Sequence, residues 1–168
     1  MKHNSLFSFI EQGKSYLKTL PFVNAFVNLL GHSKIGNYYI PKVFYIETTN
    51  HCNARCYMCP HDKMKREKGF MSWELFKKII DECKTFEGKG LTFYLHKDGE
   101  PLLDPLLIRR VEYIKRNLKN SRVGMNSNAM LLNRKRAMEI LNSPIDFMTF
   151  SVDGASKEQY EKIRIGLQ

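Results

Sequence analysis

The sequence predicts an α/β protein whose parallel sheet curls toward a partial TIM-like (β/α) barrel. Three observations carry that expectation. From Pro41 onward, short apolar runs rich in β-branched and aromatic residues alternate with segments of helical periodicity. The alternation repeats four times, which calls for crossover helices and a parallel sheet. The polar and sulfur-rich stretches that break the pattern fall at the ends of the predicted strands, the rim where (β/α) barrels carry their chemistry.

Ahead of Pro41, apolar residues recur at helical spacing from about Leu6 to Leu30 (Phe7, Ile10, Leu17, Phe22, Phe26), with Pro21 as a break and Gly31 as a stop. Residues 1–40 are therefore read as a helical N-terminal extension and residues 41–168 as the core domain. VFYIETT (Val43 to Thr49) is the first strand. Ser72 to Cys83 is a helix with Ser72 as N-cap and Leu75, Phe76, Ile79 and Ile80 facing inward. LTFYLH (Leu91 to His96) is the second strand. In the next helix Asp104 caps, Pro105 suits the first turn, and Leu107, Val111, Ile114 and Leu118 form the buried stripe. SRVGMNSN (Ser121 to Asn128) is the third strand, followed by a helix near Lys135 to Leu141 that Pro144 closes. DFMTFSV (Asp146 to Val152) is the fourth, and Ser156 with Gln159 makes a capping box for a last helix. Phe93, Tyr94, Phe147 and Phe150 read as core residues.

The chain has 168 residues and a formal net charge of +10, which favours acidic partners but says nothing about fold. Its basic residues are scattered apart from Lys63 to Lys68, read as a solvated loop, so a nucleic-acid role is not favoured. Glu11, Gln12 and Lys14 interrupt any signal-peptide core, and no apolar run reaches the length of a membrane span. Crowded cysteines suit a reducing compartment better than a disulfide framework, so a cytoplasmic location is expected.

Three of the four cysteines, Cys52, Cys56 and Cys59, fall in HCNARCYMCPH with C-x3-C-x2-C spacing. Thiolates so close together on one loop bind zinc or an iron-sulfur cluster. For zinc, His51 or His61 is the available fourth ligand of a structural Cys3His site. For a four-iron cluster, which takes four cysteines when all its irons are protein-bound, three leave one iron open. Cys83 is a spare thiol near the end of a helix and reads as a buried small apolar residue.

CNARCYMCP resembles the C-x3-C-x2-C signature of the radical S-adenosylmethionine (radical SAM) enzymes. The resemblance implies that Cys52, Cys56 and Cys59 hold a [4Fe-4S] cluster whose open iron is chelated by the amino and carboxylate groups of S-adenosylmethionine. Met58 stands where the family usually has an aromatic residue against the adenine, with Tyr57 one place earlier. HKDGEP (His96 to Pro101) is similar to the family's GGEP motif with Asp98 in place of the first glycine, which implies close backbone approach at Gly99 and assigns Glu100 to the methionyl amino group. NSNA and SVDG match strand ends that contribute contacts to the cofactor, implying roles for Asn126, Ser151 and Asp153. Glu47 on the first strand points either into the barrel or toward solvent.

The implied chemistry is one-electron cleavage of the cofactor to a 5′-deoxyadenosyl radical that abstracts hydrogen from a substrate. The electron would come from a reductant such as a flavodoxin or ferredoxin. The combination of motifs looks most like the peptide- and protein-modifying group, whose frequent C-terminal cysteine-rich domain has no counterpart here. The family's barrel usually has six β-α units and this sequence accounts for four, so the core domain is expected to be a truncated one with DFMTFSV as an apolar edge. Two rival readings stand beside this one: a zinc-stabilised basic module that binds nucleic acid, and a non-catalytic iron-sulfur protein in which Cys83 completes the ligand set.

Overall fold

The computed structural model describes residues 32–35 and 38–165. The chain divides into two compact units, Met1–Lys42 and Val43–Gln168. In the first, β1 (His32–Ile35) and β2 (Tyr38–Pro41) pair antiparallel with Ile35 opposite Tyr38. The helices expected between Leu6 and Leu30 lie outside the described residues. Within the extension expected to be helical, residues 32–35 and 38–40 are strand. There, only Gly36 and Asn37 separate two runs containing β-branched and aromatic residues, the spacing of a two-residue hairpin.

In the second unit the elements run β3 (Val43–Tyr45), β4 (Arg55–Cys56), α1 (Trp73–Cys83), β5 (Thr92–Tyr94), α2 (Leu107–Asn117), β6 (Arg122–Ser127), α3 (Arg134–Leu141), β7 (Phe147–Phe150), α4 (Lys157–Ile163) and β8 (Arg164–Ile165). Strands β3, β5, β6 and β7 form one parallel sheet in that order, as four successive β-α units require. Alternation along the strands gives the sheet two faces. Phe44, Phe93 and Val123 stand in register on one face and pack with Phe76, Ile80, Val111 and Ile114 of the helices in a single core. Tyr45, Tyr94 and Phe147 occupy the other. There Tyr45 stacks on Tyr94 with ring centroids 4.7 Å apart, and Tyr94 meets Phe147 edge-on at 5.1 Å. Tyr94 and Phe147 thus belong to this second aromatic layer and not to the helix-covered core, because a shift of one residue along a strand exchanges faces.

Helix starts are set by local side chains. Ser72 Oγ accepts the Leu75 N–H at 3.2 Å, and Phe76, Ile80 and Cys83 form the buried stripe of α1. Leu75, expected to face inward, is exposed because it lies at the margin of that stripe. Asn133 caps α3 and Ser156 caps α4 in the same way. Asp104 is not the N-cap of α2, which begins at Leu107 with Leu106 in the capping position. Instead one Asp104 oxygen accepts the Leu106 N–H at 2.9 Å and the other pairs with the fully buried Arg110 at 2.7 Å. Arg110 also donates to the Met71 carbonyl and lies over the Phe76 ring, tying α2 to the start of α1.

In the four-stranded sheet β3 and β7 are the edges; at the β7 edge Phe150, expected in the core, and Val152 are exposed. A groove of about 460 Å3 runs between β7 and α3, lined by Leu132, Ile140, Leu141, Met148 and Phe150.

Candidate metal centre

The cysteine loop leaves the C-terminal end of β3 and is closed at its base by main-chain and amide contacts. Asn50 acts as the hub: its side-chain oxygen accepts the Gly69 N–H at 2.6 Å and its amide donates to the Glu67 carbonyl at 2.9 Å. Thr49 Oγ1 donates to the Gly69 carbonyl at 3.0 Å and accepts the His51 N–H at 3.1 Å. A turn with the Cys59 N–H on the Cys56 carbonyl, 2.9 Å, folds the last two cysteines back on each other.

Cys52, Cys56 and Cys59 line one cavity of about 360 Å3 at the strand ends, together with Met58, Gly99, Glu100, Asn126 and Ser151. Of the residues that the resemblance assigns to the cluster and cofactor, Asp153 alone stands outside that lining. Its carboxylate is paired with Arg164, which does line the cavity.

Gly99 serves backbone contact, but the backbone it approaches is the protein's own. A Cβ there would lie 2.8 Å from the His51 carbonyl oxygen and closer still to that of Thr49. The adjacent Glu100 N–H donates to the His51 carbonyl at 2.7 Å, so the two loops touch main chain to main chain. Glu100 is buried, with one oxygen accepting the Leu102 N–H (3.0 Å) and Ser127 Oγ (2.7 Å) and the other the Asn128 N–H (2.8 Å). Three of about four acceptor positions are thereby used within the protein. Asn128 passes the connection on: its amide donates to the Asn53 side chain in the cysteine loop at 2.9 Å. Gly154 of the SVDG segment has α4 packed on it, a Cβ there lying 2.5 Å from the Tyr160 nitrogen.

Glu47 lies at the rim in a bidentate pair with Arg66, whose guanidinium also reaches Asp98 at 2.8 Å. The Asp98 N–H donates to Glu47 at 3.1 Å. The hydrogen bond from Arg66 holds the Glu47 carboxyl below the usual glutamate range. Asp98, present where the family has glycine, is thus the partner of a residue from the basic run, and that run contributes a clamp as well as solvated charge.

His96 lies two residues beyond the end of β5 and also lines the cavity. Its Nδ1 accepts the Asn126 N–H at 3.1 Å, which places its proton on Nε2, and burial lowers its pKa. Burial pushes the Cys52 thiol up, opposed by a hydrogen bond from the Ala54 main chain and reinforced by Glu100 and the two neighbouring cysteines. A metal bound at Cys52 would reverse that balance by displacing the proton.

The donor set fits a cluster better than a zinc ion. His61 is buried with Nε2 2.8 Å from the Asn50 carbonyl, and His51 packs against Phe70 with centroids 4.8 Å apart. Both histidines support the loop, and neither lines the cavity. Cys83 is buried in the hydrophobic core among the packed helices, outside the cavity. Among the described residues, no three His, Cys, Asp or Glu side chains gather tightly enough to hold one ion.

Two features of this site carry no local sequence signal: Arg164 and the pairing of β4 with β8 that places it. Arg55 stands opposite Ile165 and Cys56 opposite Arg164, and the Tyr57 N–H donates to the Ile163 carbonyl at 2.9 Å.

The family model for the Radical SAM superfamily matches residues 46–167. The chain belongs to the radical SAM superfamily. The cofactors of that superfamily are a [4Fe-4S] cluster and S-adenosylmethionine. Among curated proteins, the chain is 31% identical over 112 residues to a tungsten-containing aldehyde ferredoxin oxidoreductase cofactor-modifying protein of Pyrococcus furiosus, covering 67% of this chain and 31% of that protein. It is 30% identical over 125 residues to a probable GTP 3′,8-cyclase of Methanococcus maripaludis, covering 73% and 40%. Among solved structures, BtrN in complex with AdoMet and 2-DOIA has the same fold over 73% of this chain and 50% of its own, with a TM-score of 0.62 and 23% identity. This radical SAM chain therefore spans between about a third and a half of the length of these relatives.

Proposed function

We propose that this chain is the cluster- and cofactor-binding part of a radical SAM enzyme, with Cys52, Cys56 and Cys59 as the cluster ligands. The observation that carries the reading is the convergence of these three thiols with Glu100, Asn126, Ser151 and Arg164 on one cavity at the strand ends of a superfamily member. When bound, the reduced cluster and S-adenosylmethionine supply a 5′-deoxyadenosyl radical for hydrogen abstraction, chemistry beyond any amino-acid acid or base.

The protein's own groups bind and orient. Glu100 offers its remaining acceptor position to the methionyl ammonium, and its three internal bonds keep it from turning away. Asn126 and Ser151 present an amide and a hydroxyl suited to ribose and carboxylate oxygens. Met58, largely exposed on the loop, supplies an apolar surface for the adenine. Asp153 acts one step back, by holding Arg164. Residues 41–168 serve as the radical SAM core domain in this reading, and residues 1–40 stand ahead of it.

The motif style supports a peptide or protein as substrate. The cofactor-modifying protein and the GTP 3′,8-cyclase among the sequence relatives favour a second reading, in which a nucleotide or organic cofactor is the substrate. A one-electron carrier of the flavodoxin or ferredoxin type is the proposed reductant. The free thiols suit a reducing cytoplasm. No described helix is long and apolar enough to cross a membrane.

Anaerobic reconstitution tests the reading. Iron with acid-labile sulfide, an electron paramagnetic resonance spectrum altered by S-adenosylmethionine, and 5′-deoxyadenosine on chemical reduction are expected. Zinc without sulfide would favour the basic-module alternative, and a spectrum indifferent to the cofactor would favour an electron-transfer protein.

A further inference from the structure

Two cations line the cavity, Lys97 and Arg164, and Arg164 is the one that touches a cysteine of the loop. Arg164 follows α4 directly, and its partner across the two-residue ladder is Cys56. Residues directly opposite in an antiparallel pair project to the same face, so the backbone itself delivers the Arg164 side chain to the Cys56 side. The side chains meet there: Arg164 Nη1 donates to Cys56 Sγ at 3.4 Å. On its other edge the guanidinium is gripped by the Asp153 carboxylate. The Tyr57 N–H on the Ile163 carbonyl, 2.9 Å, locks the register next door. Asp153, Arg164 and Cys56 therefore form a line from the SVDG segment to one cysteine of the loop, with the arginine half-buried and held at both ends.

We propose that Arg164 is a positioning residue that tunes the reduction potential of the cluster through its hydrogen bond to Cys56 Sγ, with Asp153 fixing the guanidinium. The inference rests on the assignment of Cys56 as a cluster ligand. Hydrogen bonds to ligating sulfurs and nearby charge are among the terms that set an iron-sulfur potential. Reduction by one electron adds a negative charge to the cluster and its thiolates. A cationic donor on one of those thiolates stabilises the reduced state more than the oxidised one and raises the midpoint. Asp153 opposes part of that gain by its own charge, but it keeps the planar fork aimed at sulfur, a geometry that a lysine does not reproduce.

The test is a potentiometric titration of the reconstituted full chain with a chemical one-electron reductant, without S-adenosylmethionine, with iron and sulfide measured on every sample. For R164M the midpoint moves to more negative potential, by about tenfold in the reduced-to-oxidised ratio at a fixed potential, which is about 59 mV for one electron. R164K falls between wild type and R164M. D153N, which touches no cysteine, moves the midpoint to more negative potential, because loss of the aimed hydrogen bond outweighs removal of the Asp153 charge. Midpoints identical to wild type in R164M at full cluster content overturn the proposal, as does a shift that appears only once S-adenosylmethionine is added. Should R164M fail to assemble a cluster, a midpoint in D153N that is unshifted or moved to more positive potential overturns it equally. A wild-type protein that takes up no cluster refutes the proposed function itself and is thereby distinguished from failure of this inference.

Discussion

Replacement of Glu100 by glutamine tests whether that side chain is the structural keystone of the rim, independently of any cofactor. The carboxylate accepts three donors: the Leu102 and Asn128 N–H groups and the Ser127 hydroxyl. A glutamine amide has one oxygen. If that oxygen stays on Leu102 and Ser127, the amide NH2 confronts the Asn128 N–H. If it turns to Asn128, the NH2 meets Ser127 Oγ, which can rotate to accept, and Leu102 N–H is left over. Either orientation orphans one buried N–H, at about 1–3 kcal/mol, and converts the surviving charge-assisted bonds to neutral ones, at roughly 0.5–1 kcal/mol each. The sum is about 3 kcal/mol, or a fall of roughly 10 °C in Tm for a unit of this size. Thermal and urea unfolding of the metal-free protein read it directly. A loss under about 1 kcal/mol would show that water already satisfies these donors and that the rim does not depend on the carboxylate.

Other consequences concern different parts of the molecule. Asp104→Asn leaves the fully buried Arg110 without its counter-charge and should cost about 3–5 kcal/mol in urea unfolding. Alanine at Cys52, Cys56 or Cys59 should abolish iron and sulfide uptake and the visible absorbance of the reconstituted protein, whereas Cys83→Ala should retain both, since Cys83 lies in the core. His96 has a folded pKa below its unfolded value, so its contribution is present above about pH 6.5 and is lost as pH falls from there through the lowered value. His96→Gln should flatten that segment of the stability profile. Glu47 behaves alike at lower pH: its stabilisation is present above the ordinary glutamate range and lost as pH falls through its depressed value, and Glu47→Gln should remove that limb.

The helices of the second unit, and the starts of α1 and α4, were legible because their determinants lie within a few residues of one another. Ser72 and Leu75, or Ser156 and Gln159, meet across a single turn. The parallel order of β3, β5, β6 and β7 followed from the alternation of element types. Where expectation and structure part, the deciding partner is more distant or the pattern is short. Asp104 serves Arg110, six residues on, in addition to its local turn. Tyr94 and Phe147 changed faces because their strands are too short for alternation to assign them. The hairpin at residues 32–41 carried a two-residue turn signal within a stretch read for its helical neighbours.

By itself, the sequence determined the α/β class, the strand-end placement of the chemistry and the three cysteines that belong together, since spacing along the chain confines neighbouring thiols to one loop. Only the tertiary structure decided what holds that loop and what surrounds it. Glu100 bonded to Ser127 and Asn128, Arg66 bridging Glu47 and Asp98, and Arg164 opposite Cys56 are pairs separated by 27, 28, 19, 32 and 108 residues. The physical reason is that hydrogen bonds and ion pairs act over a few ångströms in space, and which distant residues come within that range is set by how the strands and helices pack.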